Sequence, residues 1–175
     1  MAKLVSADLM GDKLCTLTYT TTDGEMLSLK EDAFDAKIIS HSYTDKGVVL
    51  FDKPITIIGD YAFRDCTSLT SVTIGNSVTS IGSCAFLNCT LLTSVTIPDS
   101  VTSIGWSTFY GCTSLKSVYC KATTPPTEGS YIFSYFNNGY KPIGCKIYVP
   151  RNSVEAYKSA YGWKDYAEDI VGYDF

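Results

Sequence analysis

The sequence predicts an α/β fold: a short right-handed solenoid with a parallel β-sheet along one face and a cap at each end. Residues 58–80 and 81–103 are identical at 16 of 23 positions, and the same pattern begins a third time at Ile104. A fixed period of this length is typical of proteins built from stacked repeats. We expect a single domain in three parts: an N-terminal cap at 1–53 with a hairpin and a first half-repeat, 23-residue repeats at 54–120, and a C-terminal cap at 121–175.

The composition excludes several classes of protein. The chain has 175 residues, 45% of them hydrophobic, and a net charge of −4. An acidic chain lacks the basic face that nucleic-acid binding requires, so no nucleic-acid partner is expected. No apolar run reaches the roughly 18 residues that span a bilayer, which predicts no membrane insertion. The first 15 residues have no apolar core segment or small-residue cleavage site, which predicts that no signal peptide is present. Two alternatives stay open for localisation: a chain that stays inside the cell, and a mature or trimmed form of an exported protein.

Residues 1–53 are expected to cover one end of the apolar core. Residues 14–21 and 25–29 predict a hairpin around the turn dipeptide Asp23-Gly24. Residues 47–51 predict a strand in phase with the repeats, and Ala33-Phe34 resembles the Ala-Phe pair of each repeat. A cap is required because the end of a stack of repeats exposes a cross-section of its core to water.

Each repeat is expected to contribute one strand and one helical turn. Val72 and Ile74 alternate with Ser71 and Thr73, which predicts a strand with an apolar inner face. The segment from Asp60 to Asp65 suits a single helical turn around Ala62-Phe63. The positions that stay apolar in successive copies predict the inward-facing set of Ile58, Ala62, Phe63, Cys66, Leu69, Val72, Ile74 and Val78.

Seven cysteines raise the question of disulfides or metal binding. Cys66, Cys89 and Cys112 recur at the repeat period, which favours buried free thiols in one column. Cys120 falls on the apolar position of Ile74 and is also expected to point inward. Cys15, Cys84 and Cys145 have no periodic explanation, and their pairing stays open. The chain has no C-x-x-C sequence and one histidine, so neither a metal site nor a cofactor is predicted.

The repeat pattern breaks after Cys120, where the C-terminal cap begins. Pro125-Pro126 predicts an extended turn, Tyr131-Ile132-Phe133 the last Ala-Phe equivalent, and residues 147–149 the final strand. Asn152 or Ser153 is expected to cap a short helix, with Glu155 completing a capping box and Val154, Tyr157 and Tyr161 on one face. Twelve of the 23 aromatic residues lie in 131–175. They are interpreted as a packed terminal cap, with an aromatic sugar-binding platform as the alternative.

These residues carry a family resemblance. The pattern I-G-x-x-A-F-x-x-C-x-x-L-x-x-V-x-I-P-x-S-V-x-x-I-G at 81–105 resembles the BspA-type (Treponema pallidum-type) leucine-rich repeat, common in Bacteroides and other host-associated microbes. Residues 19–24 and 47–52 resemble the family's lead-in, and 119–126 and 147–158 its closing segment. The resemblance implies a leucine-rich repeat solenoid in a bacterial protein at the cell surface or outside the cell. It also implies adhesion to host proteins, such as extracellular-matrix components, or to other microbial cells.

No catalytic constellation is predicted. A serine hydrolase needs an imidazole base beside its nucleophile, and His41 is the only candidate, in a polar segment of the cap. Asp60 and Asp99 occupy different repeat positions and do not suggest a carboxylate pair. Gly82 and Gly105 permit tight backbone geometry but belong to no phosphate-binding motif. The chain is therefore not expected to be an enzyme.

The outward surface holds the candidate contact residues. Between residues 58 and 118 the charged residues are Asp60, Arg64, Asp65, Asp99 and Lys116, so the strand face is a ladder of hydroxyls. Such a face suits either protein binding or plain solvation. Apolar side chains that depart from the repeat, including Leu87, Leu91, Trp106 and Tyr110, suggest a second contact patch. Partial burial under the C-terminal insertion is the alternative for Trp106. The candidate contact residues are Thr73, Thr96, Tyr119, Trp106 and Tyr110.

The functional hypothesis is a non-catalytic protein-interaction or adhesion module whose ligand is a host or microbial surface protein, with a monomer favoured. Two alternatives stay open: a structural or self-assembling subunit, and carbohydrate binding through the C-terminal aromatic residues.

Overall fold

The computed structural model of the protein describes residues 15–128, 131–133 and 144–175. These parts of the chain form short strands, one helix α1 (Val154–Ser159), and 3₁₀ segments at Glu31–Ala33, Arg151–Ser153 and Trp163–Asp169. The strands are β1 (Thr16–Thr21), β2 (Ile38–Tyr43), β3 (Gly47–Phe51), β4 (Ile57–Ile58), β5 (Leu69–Thr73), β6 (Ser80–Ile81), β7 (Ser94–Ile97), β8 (Ser103–Ile104), β9 (Ser117–Cys120), β10 (Thr127–Glu128), β11 (Lys146–Pro150) and β12 (Ile170–Tyr173).

The larger sheet has eight strands in the order β12-β11-β9-β7-β5-β1-β3-β2. Strands β5, β7, β9, β11 and β12 are parallel, and Thr73 pairs with Thr96, which pairs with Tyr119. Each of these steps joins residues 23 positions apart. The alternating apolar residues predicted to face inward do so, because Val72, Val95 and Val118 are all buried. The chain therefore has a strand-rich repeat fold with parallel pairing between the repeats.

The prediction of one strand per repeat is wrong, because the repeats also contribute strands to a second sheet. Strands β4, β6, β8 and β10 form a four-stranded parallel sheet, in which Ile57 pairs with Ser80 and Ser80 with Ser103. Each strand has two residues, too few to produce an alternation that a sequence pattern could reveal. The prediction that the period breaks after Cys120 is also too simple, since β10 pairs with β8 and β11 with β9.

The predicted N-terminal hairpin is wrong. Thr16–Thr21 is a strand, but residues 25–29 are not, and β1 lies between β3 and β5, antiparallel to both. Residues 47–51 form the predicted strand, and its Val49 and Phe51 are buried. However, β1 separates this strand from β5, so the half-repeat does not pair directly with the first full repeat.

The predicted helical turn from Asp60 to Asp65 is also wrong. The segment is a series of tight turns in which Tyr61 and Asp65 have φ of 64° and 59°. The equivalent residues Cys84 and Asn88 have φ of 55° and 60°. This backbone leaves alternate N–H groups pointing at the next repeat: Phe63 N–H donates to the Ala85 carbonyl (2.7 Å) and Asp65 N–H to the Leu87 carbonyl (2.8 Å). The turns therefore hold neighbouring repeats together, as the strands do.

The core is one cluster that runs from Leu17 to Ile170. Every residue of the predicted inward-facing set, from Ile58 to Val78, is buried. The phenylalanines form a stack, with ring centroids 5.0 Å apart from Phe63 to Phe86 and 5.3 Å apart from Phe86 to Phe109. Phe133 continues it at 5.8 Å, which agrees with its predicted role as the last Ala-Phe equivalent.

The C-terminal cap closes the core with aromatic side chains. Tyr157 is fully buried and donates to the Ala122 carbonyl (2.8 Å), and Trp163 Nε1 donates to the Pro126 carbonyl (3.0 Å). The short helix is present, but the predicted capping box is wrong because its N-cap Ser153 makes no side-chain capping bond. Tyr161 is 69% exposed, so it does not share the buried face of Tyr157. Residues 147–149 lie in β11, which is not the final strand because β12 follows.

Candidate binding surface

Three of the predicted contact residues form one row across the outer face of the larger sheet. Thr73, Thr96 and Tyr119 lie side by side on β5, β7 and β9. They face outward because strand side chains alternate and their neighbours Val72, Val95 and Val118 fill the core. Thr73 and Thr96 are exposed, and Tyr119 is half-buried. The row therefore changes from small hydroxyl side chains to an aromatic ring.

Beyond Tyr119 the row meets further aromatic residues on β11 and β12, although the residue of β12 that pairs with Tyr148 is Val171. Tyr119 pairs with Tyr148 of β11, and their rings stack with centroids 4.8 Å apart and planes 13° apart. Tyr173 of β12 meets both rings edge-on at 5.5 Å, and Phe175 contacts Tyr173 at 5.1 Å. We call Tyr119, Tyr148, Tyr173 and Phe175 the tyrosine face. Tyr173 and Phe175 are 42% and 50% exposed, so the cluster is open to solvent.

A groove runs along the row beside the tyrosine face. Its first part, about 280 Å³, is lined by Val72, Thr73, Ile74, Asn76, Thr96, Pro98 and Lys121. Its second part, about 330 Å³, is lined by Thr96, Tyr119, Lys121, Tyr173, Asp174 and Phe175. Thr96 and Lys121 belong to both parts, and we call the whole the Thr96 groove. Tyr148 covers one face of the Tyr119 ring, whereas Thr96 on the other side is too small to cover a ring. That side of Tyr119 therefore borders the groove.

Asp174 and Lys121 are the charged residues that line the groove. Asp174 accepts two hydrogen bonds from Arg151, at 2.9 Å from Nε and 2.7 Å from Nη2. These bonds from Arg151 hold the pKa of Asp174 below its ordinary value. The Lys121 ammonium lies over the Phe175 ring, 5.9 Å from its centroid. Strands β5, β7 and β9 carry no charged residue. The surface thus offers aromatic rings and hydroxyl groups beside the Lys121 ammonium, whose charge the ring contact does not cancel.

The other two predicted contact residues lie elsewhere. Trp106 and Tyr110 are in the turn segment between β8 and β9, where their carbonyls accept hydrogen bonds from Cys84 N–H and Asn88 N–H, both at 2.8 Å. Both side chains are half-buried, and Leu91 on the neighbouring repeat is 41% exposed. The C-terminal insertion suggested to cover Trp106 lies largely outside the described residues. The structure therefore separates the predicted contact residues into two surfaces.

Sequence reasoning missed Tyr148, Tyr173 and Phe175. Tyr148 could have been found, because aligning Ile147-Tyr148-Val149 with Val118-Tyr119-Cys120 places the two tyrosines side by side. Tyr173 and Phe175 gave no comparable signal. The strand that carries Tyr173 is only four residues long and has no counterpart in the repeat.

The nucleophilic and titratable groups show no arrangement for catalysis in the described parts of the chain. All seven cysteines are free thiols, which agrees with the prediction for the column of Cys66, Cys89 and Cys112. The pairing left open for Cys15, Cys84 and Cys145 does not occur. Burial raises the pKa of Cys66 to about 12 and of Cys120 to about 11, so both stay protonated and unreactive. His41 is engaged by Tyr19, with its Nε2 2.6 Å from the phenol oxygen. Among the described residues, no group of three or more histidine, cysteine or acidic side chains is placed to hold a metal ion.

A comparison with family models identifies the family of this chain. The model of the BspA type leucine rich repeat region matches residues 37–148 with six copies, which is more than half of the chain. The chain belongs to the BspA-type leucine-rich repeat family. A comparison with curated proteins gave no significant match. Within the described residues, no helix has the length and apolar character needed to cross a membrane.

Membership of the BspA-type family has two consequences for this surface. Leucine-rich repeats of this family generally mediate protein–protein interaction and are typically non-catalytic, which agrees with an exposed face without a reactive group. The matched segment includes Tyr119 and Tyr148 but ends before Tyr173 and Phe175. The tyrosine face therefore combines repeat positions with residues that lie beyond the repeats.

Proposed function

We propose that this BspA-type chain is a short right-handed solenoid that acts as a non-catalytic protein-binding module at the bacterial cell surface. Its ligand is a host or microbial surface protein, and the tyrosine face and the Thr96 groove make the contact. The observation that supports this most is the exposed aromatic cluster on an otherwise small and uncharged sheet face. Tyrosine is enriched at protein interfaces because its ring buries a large area and its hydroxyl group can still hydrogen-bond.

Alanine substitutions on the two candidate surfaces test this proposal. The immobilised chain would capture proteins from a host-cell surface extract, and a captured protein would be identified, purified and measured by surface plasmon resonance. We expect Tyr119→Ala combined with Tyr173→Ala to weaken binding at least tenfold, as truncation of interface aromatics commonly does. Tyr110→Ala, on the turn side, should bind as the wild type does. Loss of binding with Tyr110→Ala alone would contradict the assignment to the tyrosine face.

Self-assembly is a second candidate, favoured by the edges of the larger sheet. Strands β2 and β12 are its outermost strands within the described residues, and Ile39 on β2 is 60% exposed. An open sheet edge can pair with another chain. Light scattering behind a size-exclusion column distinguishes the candidates: a mass that rises with protein concentration supports self-assembly, and a monomer at all concentrations argues against it.

A further inference from the structure

We infer that the segment of the partner bound in the Thr96 groove is proline-rich and adopts a polyproline II conformation. This inference rests on the proposed function and names the chemistry of the ligand. Three properties of the groove carry it: the exposed side of the Tyr119 ring, the donor-rich lining, and the distance between strands.

The first property is the interrupted aromatic stack. Tyr148 and Tyr119 stack at 4.8 Å along the row, and the next position is Thr96. A flat, apolar ring seated over Thr96 would continue this stack against Tyr119. The pyrrolidine ring of proline is compact and apolar and can occupy this position beside Tyr119.

The second property is the hydrogen-bonding character of the lining. The polar side chains that line the groove are Thr73, Asn76, Thr96, Tyr119, Lys121, Tyr173 and Asp174. All of them except Asp174 can donate a hydrogen bond, and the Asp174 oxygens already accept from Arg151. A proline-rich segment has carbonyl acceptors but few N–H donors, so the groove and this ligand are complementary. Polyproline II segments bind in aromatic-lined grooves, where the preformed helix lowers the entropic cost of binding.

The third property is the spacing of the row. A polyproline II helix repeats every three residues and rises about 3.1 Å per residue, which gives about 9 Å per turn. Neighbouring strands are about 4.8 Å apart, so the row from Thr96 through Thr73 to Thr18 of β1 spans about 9.6 Å. A segment lying across the strands with one proline over Thr96 would therefore place the next, at i+3, over Thr18. The preferred sequence is P-x-x-P.

The test uses a fluorescein-labelled oligoproline peptide of about ten residues and the full chain, with binding followed by fluorescence anisotropy. We expect saturable binding, at least tenfold weaker with Tyr119→Ala. Thr96→Tyr should abolish it by filling the groove, and because Thr96 is exposed this change does not depend on the core. Tyr161→Ala removes an exposed tyrosine that does not line the groove and is the matched control. Circular dichroism checks that each variant is folded.

Three results would overturn the inference: no saturable binding of oligoproline, equal binding of a glycine-serine peptide of the same length, or unchanged binding by Thr96→Tyr. Displacement of the peptide by a neutral hexasaccharide would also overturn it, since the groove would then be a sugar site. If oligoproline does not bind, the affinity of the protein captured in the surface plasmon resonance experiment can still be measured. If that protein still requires Tyr119 and Tyr173, the surface assignment stands and only the ligand class is wrong.

Discussion

The imidazole of His41 has a hydrogen-bonding role in the N-terminal cap that depends on its protonation state. The Tyr19 hydroxyl group accepts from Leu27 N–H (3.1 Å) and lies 2.6 Å from His41 Nε2. An unprotonated Nε2 can accept the Tyr19 hydroxyl proton at this distance, whereas a protonated Nε2 would instead donate to the Tyr19 oxygen. Burial lowers the pKa of His41 below its ordinary 6.5, and nearby Glu31 opposes this only in part. The folded cap therefore favours neutral His41.

Stability should fall between neutral and mildly acidic pH because of this histidine. The unfolded chain takes up a proton at its ordinary pKa of 6.5, whereas the folded chain does so only at lower pH. The unfolded state thus binds more protons in this window, so the stabilisation is complete above pH 6.5 and is lost as pH falls through the folded pKa. The melting temperature should be lower at about pH 5 than at about pH 7.5.

The variant His41→Gln provides the control, because it removes the titrating group and should flatten this dependence. The pKa of Asp35 is also shifted, but this shift affects stability in a separate, more acidic pH range. Burial raises its pKa, and hydrogen bonds from the Thr56 hydroxyl, Thr56 N–H and Ile57 N–H outweigh that effect, so its pKa lies below 3.8. As the chain has one histidine, its NMR titration can be assigned directly. A folded-state pKa at or above 6.5 would contradict the prediction.

The elements of this fold differ in how far sequence could predict them. The strands β5, β7 and β9 were predictable because buried Val72, Val95 and Val118 repeat with the alternation of a strand. The strands that pair with β1 were not predictable. Alternating apolar and polar residues indicate that β1 is a half-buried strand, but they do not indicate its neighbours in the sheet. Its position between β3 and β5 depends on contacts far along the chain.

The turns that hold the repeats together carried a signal that was misread. Asp65, Asn88 and Gly111 occupy one repeat position and have φ of 59°, 60° and 75°. These residue types tolerate a positive φ best, so their succession indicates a left-handed residue, which would also suit the end of a helical turn. The helical turn is excluded by the second left-handed position, at Tyr61 and Cys84, whose residue types give no such signal. The row Thr73, Thr96 and Tyr119 was predictable from strand alternation. The tyrosine face as a whole was not, because Tyr173 and Phe175 follow no period.

Glycine at the start of each turn sets the distance between repeats, which gives a prediction at this scale. A Cβ on Gly82 would lie 2.5 Å from Asp60 N and from the Gly59 carbonyl carbon, both of them backbone atoms. Gly82→Ala should therefore force the repeats apart and lower the free energy of unfolding by about 3 kcal/mol, the upper end of typical overpacking costs. Urea denaturation measures this loss.

Gly75→Ala is the matched control for this substitution. A Cβ on Gly75 meets only the Ser77 hydroxyl group, at 3.9 Å, and the next repeat has Pro98 at the same position. The change should be neutral or stabilise by about 0.4–1 kcal/mol, because alanine restricts the unfolded chain more than glycine does. Equal costs for the two substitutions would show that close approach at Gly82 is not what limits the spacing.

At the scale of the whole molecule, one aromatic column connects the two caps. Phe34 contacts Phe51 at 5.2 Å and Phe63 at 6.2 Å in the N-terminal part, and the stack then passes through Phe86 and Phe109. At the other end Phe133 meets Tyr166 edge-on at 5.0 Å. Stacked repeats contact only their neighbours, so a continuous column links segments that would otherwise be independent.

Phe86 is at the middle of this column and is fully buried, so Phe86→Ala tests both the core and its continuity. The cavity should lower the free energy of unfolding by about 3–5 kcal/mol. Phe175→Ala is the control: this ring is half exposed on the tyrosine face, and its loss should change stability little.

Urea denaturation also gives the slope of unfolding free energy against urea concentration, which scales with the surface exposed on unfolding. An unchanged slope means that the parts of the chain on either side of Phe86 still unfold together. A lower slope with two transitions means that the aromatic column had coupled these two parts. A Phe86→Ala variant as stable as the wild type would show that the column does not stabilise the stack.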